Sequence, residues 1–428
     1  MAPDLALLFD RLWPITRSLT GNGNRETLRI LSEMIDLNVT EVPSGTICYD
    51  WTVPPEWNIH DAWIKDSNGN KVVDFKLNNL HILGYSIPVS GNFTFTELEP
   101  HLFTLPDQPD IIPYLTSYYK RNWGFCLSHE SFLQLDRNET YEVYIDTTLD
   151  EQGSMSIGEA VIKGSLDEEI LFSTYICHPS LANNELSGPL VTSFIYHQLK
   201  QKEKLRYTYR FIFLPETIGS IYALSQYGDF WKRKLKAGFV VTCIGDPGMF
   251  TYKRSRRGNS LPDRAAELIL RQTVSEYNIH NFFPSGSDER QYCSPGFNLP
   301  VGSLMRTMYG TYPEYHTSAD NRNFISFDAM EESIKKYLEI IELLERNNKY
   351  LNKFPYGEPQ LGKRGLYPTL GSQKNRNQYV NAIMWILNLS DGEHDLIDIS
   401  EKSKIPVKDL YAAIESLLEK EVISAVGS

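Results

Sequence analysis

Four polar side chains stand where apolar runs of the chain end, and they are of the kinds that bind a cation and activate water. His178 closes "EILFSTYICH", Glu216 follows "YRFIFLP", Asp246 follows "FVVTCIG", and His316 lies in a late loop, "YPEYHTSADN". Neutral imidazole nitrogen and carboxylate oxygen are ligands that Zn2+ accepts without cysteine. A hydrolytic site of this kind leaves a coordination position for water and sets a carboxylate beside it as general base. Taken singly, each residue has an ordinary reading: His178 as a hydrogen-bonded strand end, Glu216 as a helix cap, Asp246 as a turn residue before Pro-Gly, and His316 as a loop histidine. Their shared placement at one edge of one sheet is what predicts a metal pocket.

Other candidates surround that edge. "YICHPSLANNELSGPL" puts Asn183 and Asn184 beside His178, where amides can orient an imidazole by hydrogen bonds. The stretch "FFPSGSDERQYCSPGFNLPVGSLMRTMYG" is a long glycine- and proline-punctuated loop, and such loops inside compact domains tend to be functional. In it Asp288 or Glu289 is a candidate for a substrate amine, and Arg306 for a carboxylate held through a bidentate fork. A surface ion-pair network is the competing reading. Tyr315, with Tyr309 and Tyr312, either lines a substrate slot or packs beneath the loop.

The elements that must deliver these residues follow from periodicity. Two short helical segments open the chain, broken at "TGNGNRET". From Ile47 the text turns to aromatics, glycines and alternating runs, with an Asn-Gly hairpin signal in "AWIKDSNGNKVVDF". After Ile157 strands alternate with helices, which predicts an α/β fold with a mostly parallel sheet sandwiched by helices. The expected organisation is an α/β domain in two pieces, 1–46 and 156–355. A β-rich insertion occupies 47–155, and a linker with a C-terminal winged helix-turn-helix occupies 356–428.

Composition narrows the function classes. With 41% hydrophobic and 22% charged residues, the 428-residue chain reads as globular. It has no apolar run long enough for a membrane span and an N-terminus that reads as a helix and not a signal peptide. Five scattered cysteines argue for reduced thiols and a cytoplasmic location. The net charge of -12 argues against nucleic acid, even for the winged helix, because six Lys or Arg face nine Asp or Glu from Lys374 onward. That module is expected to serve packing or assembly into a homo-oligomer.

The order "CHPSLANNELSGP", "LPETIGSI", a strand-end Asp, and "YHTSADN" resembles zinc-dependent aminopeptidases of the M28 type. With "LNNLHILGYSIPVSG", it more closely resembles a bacterial group of aminopeptidase-like proteins that carry an inserted β-domain and a C-terminal winged helix; the likeness spans essentially the whole chain. The resemblance implies a zinc-exopeptidase-like fold and makes His178, Asp246 and His316 metal ligands. Two positions depart from the aminopeptidase pattern: Asn184 stands where a carboxylate bridges two ions, and Thr217 where a second glutamate follows the base. One Zn2+ is therefore expected, with Glu216 as base or fourth ligand. The predicted activity is hydrolysis of a small peptide or related amide. A non-catalytic descendant that binds a ligand or partner is the alternative, and an amidohydrolase of an N-acylated conjugate is a third reading.

Overall fold

The computed structural model describes residues 4–366 and 373–426. The chain divides into two units, Met1–Pro262 with Glu276–Lys335, and Asp263–Ser275 with Lys336–Ser428. Among the described residues no helix is long and apolar enough to cross a membrane.

The first unit is built on an eight-stranded sheet. In chain order its strands are β1 (Asn38–Pro43), β2 (Ser154–Ile162), β3 (Glu169–Tyr175), β4 (Thr208–Leu214), β5 (Leu235–Val240), β6 (Phe250–Lys253), β7 (Tyr277–His280) and β8 (Val301–Met305). They lie in the order β1-β2-β4-β3-β5-β8-β6-β7. The middle is parallel: β3 pairs in parallel with β4 and β5, and β5 with β8. Every residue of β3 and β4 is buried. This is why both read as near-continuous apolar runs, the pattern of strands covered on both faces. Antiparallel pairing enters at β1–β2, β2–β4 and β6–β8. The helices Ser187–Lys200 and Ile218–Lys234 follow β3 and β4, so the polar residues after those strands sit between a carboxyl edge and a helix start.

The chain leaves the sheet at Pro43 and returns at Ser154, and these two residues face each other across β1–β2. Between them, Glu56–Lys65, Lys71–Asp74, Val89–Thr94 and Thr140–Asp150 form a separate antiparallel sheet of four strands. Its first hairpin turns where the Asn-Gly signal stands. Gly69 takes φ 82°, and the Asp66 carboxylate accepts the amides of Asn68 and Asn70 at 2.9 and 2.8 Å. The seam is closed by Arg25, which bonds both Glu56 oxygens at 2.7 and 2.6 Å and reaches Glu41 and the Ser154 hydroxyl.

The Arg25 guanidinium holds the Glu56 carboxyl down to about 2. The stabilisation this gives is therefore full above the ordinary carboxylate value near 4.5 and is lost as pH falls through about 2. Arg25→Gln is expected to lower stability at pH 7 by about 1.5 kcal/mol, the low end for a charge-assisted contact that water partly screens. Urea midpoints of the two proteins should converge as pH falls from 4.5 toward 2.

The second unit contains a three-stranded sheet in which Lys349–Asn352 lies between Asp391–Asp395 and Ile423–Ala425. The helices Gln373–Leu389, Leu396–Ser403 and Val407–Glu419 accompany it. The layout is that of the expected winged helix, and the chain enters its sheet ahead of residue 356. Leu396–Ser403 starts from a reciprocal capping box between Asp395 and Asp398. Arg264 bonds Asp395 at 2.7 and 2.8 Å and Asp398 at 2.8 Å.

Candidate active site

His178 lies three residues past β3 and is almost fully buried, at 3% exposure. Its Nδ1 meets Glu185 Oε2 at 2.8 Å, and Glu185 Oε1 lies 3.3 Å from Arg17 Nε. Arg17 also donates to the carbonyls of His178 and Leu12 at 2.9 and 2.7 Å. A carboxylate on one ring nitrogen orients an imidazole so that the other nitrogen is presented to a ligand. Glu185 can do this because Ala182–Leu186 winds as a π-helical turn, an irregularity that recurs at functional sites. Asp320 holds that turn, accepting the amides of Asn183 and Asn184 at 2.6 and 2.9 Å.

His316 comes from the opposite side. It adopts φ 56°, an allowed left-handed conformation in which His is enriched. Its ring stacks on Tyr315 at 4.0 Å and lies 5.3 Å from the His178 ring. Its buried Nε2 has no hydrogen-bond partner. Burial drives both imidazoles down to about 3, helped by the Arg17 cation at His178 and by His178 itself at His316. Both rings are therefore neutral at ordinary pH, the form that ligates metal.

The inserted sheet domain takes part. Tyr114 sits 5.1 Å from the His178 ring and 5.2 Å from the His316 ring, and its amide donates to the His316 carbonyl at 2.8 Å. Ile112 and Ser318 exchange two further bonds. The insertion thus supplies a wall of the pocket and pins the loop that carries the second histidine.

Glu216 closes the third side, with Oε2 3.9 Å from His178 Nε2. Burial pushes its carboxyl up, and the Asp288 carboxylate adds to this. The turn that aims it is unusual: Thr217, a β-branched residue, takes φ 67° and ψ -74° at the start of Ile218–Lys234, a conformation that costs of order 1–3 kcal/mol. Asp288 Oδ1 holds the turn by accepting the Thr217 amide at 2.7 Å and the Ser220 hydroxyl at 2.8 Å. Asp288→Ala is expected to lower stability by roughly 1–3 kcal/mol through the orphaned Thr217 amide. Asp288→Asn, which keeps an acceptor, should lose less in a denaturant titration.

The remaining candidates fall elsewhere. Asp246 is not brought to the imidazoles. Its oxygens are filled by the Gly248 amide, the Thr307 amide and hydroxyl, and the Asn183 side chain, at 2.6–3.1 Å. The reason is that the chain turns after β5, and the Asn183 side-chain Oδ1 accepts the amides of Gly245 and Asp246. Arg306 is not open to a substrate carboxylate: it serves Ser333, Gly248, Ala329 and Glu332 and lies over the Phe250 ring at 4.0 Å. Glu289 forms a fully buried pair with Lys253 at 2.6 Å, which anchors the loop. Asn184 receives the Tyr175 hydroxyl at 3.3 Å and leaves a buried Nδ2 without a partner. The spacing of the sequence signalled His178, Glu216 and His316. It carried no signal for Arg17, Tyr114 or the role of Glu185, while Asp320 lies within the motif that carries His316.

Among the described residues, the one set of three metal-binding groups within 4.8 Å of one another is Cys177, His178 and Glu185. The members of that set are already engaged with protein groups, although Glu185 Oε1 has only its ion pair with Arg17 and no hydrogen bond. The Cys177 thiol is pushed well up by burial and accepts the Glu216 amide at 3.2 Å, and Glu185 is engaged with His178 and Arg17. A second, wider group of possible donors is His178 Nε2, the unpartnered His316 Nε2 and the Glu216 carboxylate, with Glu216 Oε2 3.9 Å from His178 Nε2 and the two imidazole rings 5.3 Å apart.

A parallel-centred sheet with His178 and Glu216 at its carboxyl edge, His316 in a late loop and a winged helix C-terminal in the chain define an aminopeptidase-like α/β protein. The model of DUF4910, a domain of unknown function, matches residues 7–347, and a winged helix-turn-helix model matches 348–425. The chain belongs to the DUF4910 family. A Clostridium acetobutylicum protein is 49% identical over 419 residues, 98% of this chain and 95% of that one. Its name provisionally assigns it to polysaccharide biosynthesis and gives it an aminopeptidase-like domain. A crystal structure from the same organism, provisionally described as a peptidase, superposes with TM-score 0.92 at 47% identity, covering 99% of this chain and 96% of that chain. The zinc aminopeptidase of Bacillus subtilis shares the fold at TM-score 0.53 and 10% identity, covering 80% of this chain and 96% of that chain. The M28 peptidase precursor of Shewanella amazonensis does so at 0.55 and 13%, covering 80% and 92%.

Proposed function

We propose that this protein is a metal-dependent hydrolase of peptide or related amide bonds. It would use one Zn2+ held by His178 and His316, with Glu216 as base or third ligand. The observation that carries the reading is the pair of neutral imidazoles, one oriented by Glu185 and the other with a buried, unpartnered Nε2, beside a raised carboxyl. When bound, the ion supplies Lewis acidity toward a carbonyl and lowers the pKa of water. The chain does the rest. Glu185 and Arg17 fix the His178 ring, Tyr114 and Tyr315 exclude water around both imidazoles, and Glu216 is placed to take a proton and return it to the leaving amine. The five cysteines, Cys48, Cys126, Cys177, Cys243 and Cys293, are all buried, which suits work in the reducing cytoplasm.

A ligand-binding descendant without turnover is the second reading. The amide at Asn184, the hydroxyl at Thr217 and the sealed Asp246 favour it, since they leave few anionic donors. The insertion wall at Tyr114, with the name of the Clostridium protein, also supports an amide carried on a sugar conjugate. Metal analysis of the purified protein and assays on short peptides and N-acyl conjugates test the set. Glu216→Gln should cut hydrolysis by about 10^2–10^4. If Glu216 is the base, metal content stays unchanged; if it is a ligand, metal content falls as well. Failure to retain a divalent ion would sink the hydrolase.

A further inference from the structure

Beside the Glu216 turn lies a cation that the proposed chemistry does not use. Arg290 follows the two acids of the long loop, and its Nη2 donates to the Thr217 hydroxyl at 3.0 Å, a neutral acceptor. Its Nε is buried with no acceptor. No hydrogen bond from Nη1 and no ion pair to Arg290 occurs among the described residues. The buried cation of this region, Lys253, is consumed by Glu289, Tyr309 and the Ser285 carbonyl. Arg306 is likewise consumed, by Glu332 and backbone. The charged groups acting on the Glu216 carboxyl are Asp288, Glu289 and Arg290, so Arg290 is the positive charge among them.

An arginine with one nitrogen fixed on a neutral hydroxyl and a buried Nε without an acceptor is held in place without a direct ion pair, although the Asp288 and Glu216 carboxylates lie near enough to feel its charge. A guanidinium is always charged and its fork matches carboxylate geometry. Leaving a buried donor unsatisfied is costly, and an incoming acceptor removes that cost. We propose that Arg290 is a specificity residue that recognises a carboxylate on the substrate, close to the amide being cleaved. This rests on the hydrolase reading for the word substrate, but the binding it describes does not need turnover.

The test uses matched short peptides and N-acyl amino acids with a free or an amidated carboxyl end, their affinities measured by calorimetry on zinc-loaded and on chelated protein. The wild type should prefer the free carboxylate by about tenfold or more, the strength of a charge-assisted bond. Arg290→Gln, which can still donate to Thr217, should erase that preference while leaving affinity for the amidated member unchanged. Arg290→Lys should retain a reduced preference. Absence of binding or of preference in the wild type, or a preference that survives Arg290→Gln, overturns the proposal. Preferential binding without hydrolysis would remove the hydrolase reading alone, whereas equal hydrolysis of both members would remove Arg290 alone.

Discussion

His178→Ala is expected to abolish metal retention and hydrolysis together, leaving activity at the background of the uncatalysed reaction. The alanine deletes the ring nitrogen that faces Glu216 at 3.9 Å and leaves His316 as the sole imidazole, too few protein ligands for a catalytic zinc site. It also strands Glu185 Oε2, whose partner is the His178 ring. A modest loss of stability should therefore accompany the loss of activity. His178→Gln separates the two effects, because its amide can still donate toward Glu185 but is a poor ligand. Elemental analysis beside a thermal melt reads both. A His178→Ala protein that keeps one equivalent of metal would refute the assignment of the site.

Arg17→Met is expected to be the most destabilising single change near the site, by about 3–5 kcal/mol, the range for removing one partner of a buried ion pair. Arg17 and Glu185 are both fully excluded from solvent, so water cannot replace the guanidinium. Two carbonyls, of His178 and Leu12, lose their donor in the same step. The second consequence is at the imidazole. With Glu185 no longer fixed, the His178 ring loosens, and metal affinity should fall by about 10–100-fold, the usual effect of deleting an outer partner of a ligand histidine. Denaturant midpoints give the first number and competition with a chelating dye the second. The double change Arg17→Met with Glu185→Leu should recover part of the stability, since replacing a buried pair by apolar groups is often neutral, without recovering metal affinity.

Much of the architecture was legible because it is written in periodicity. β3 and β4 are buried on both faces, so their sequences are near-continuous apolar runs. The Asn-Gly hairpin and the alternation of Thr140–Asp150 mark a sheet with one covered face, as its burial pattern shows. His178 and Glu216 were legible for the same reason: each stands within three residues of the end of such a strand. Asp246 looked equivalent and was not. It lies six residues past Val240, where the direction of the chain no longer depends on the strand but on the Asn183 clasp. Arg306 looked like a free fork because its partners, Ala329, Glu332 and Ser333, belong to a later helix. The last two strands of the sheet order, β6 and the edge strand β7, are four residues each, too short for a period to declare itself.

By itself, then, the order of residues determined the elements, the α/β class, the winged-helix tail and the placement of His178 and Glu216 just past strand ends, because burial imposes a repeating pattern on neighbours in the chain. Which nitrogen of His178 faces Glu216, which carboxylate is spent on backbone amides and which arginine is left without a direct ion pair were decided by long-range contacts such as Arg17 with Glu185 and Tyr114 with His316. Those contacts join positions more than a hundred residues apart. Hydrogen-bond satisfaction in a buried site is a property of everything that converges there, and no local spacing records it.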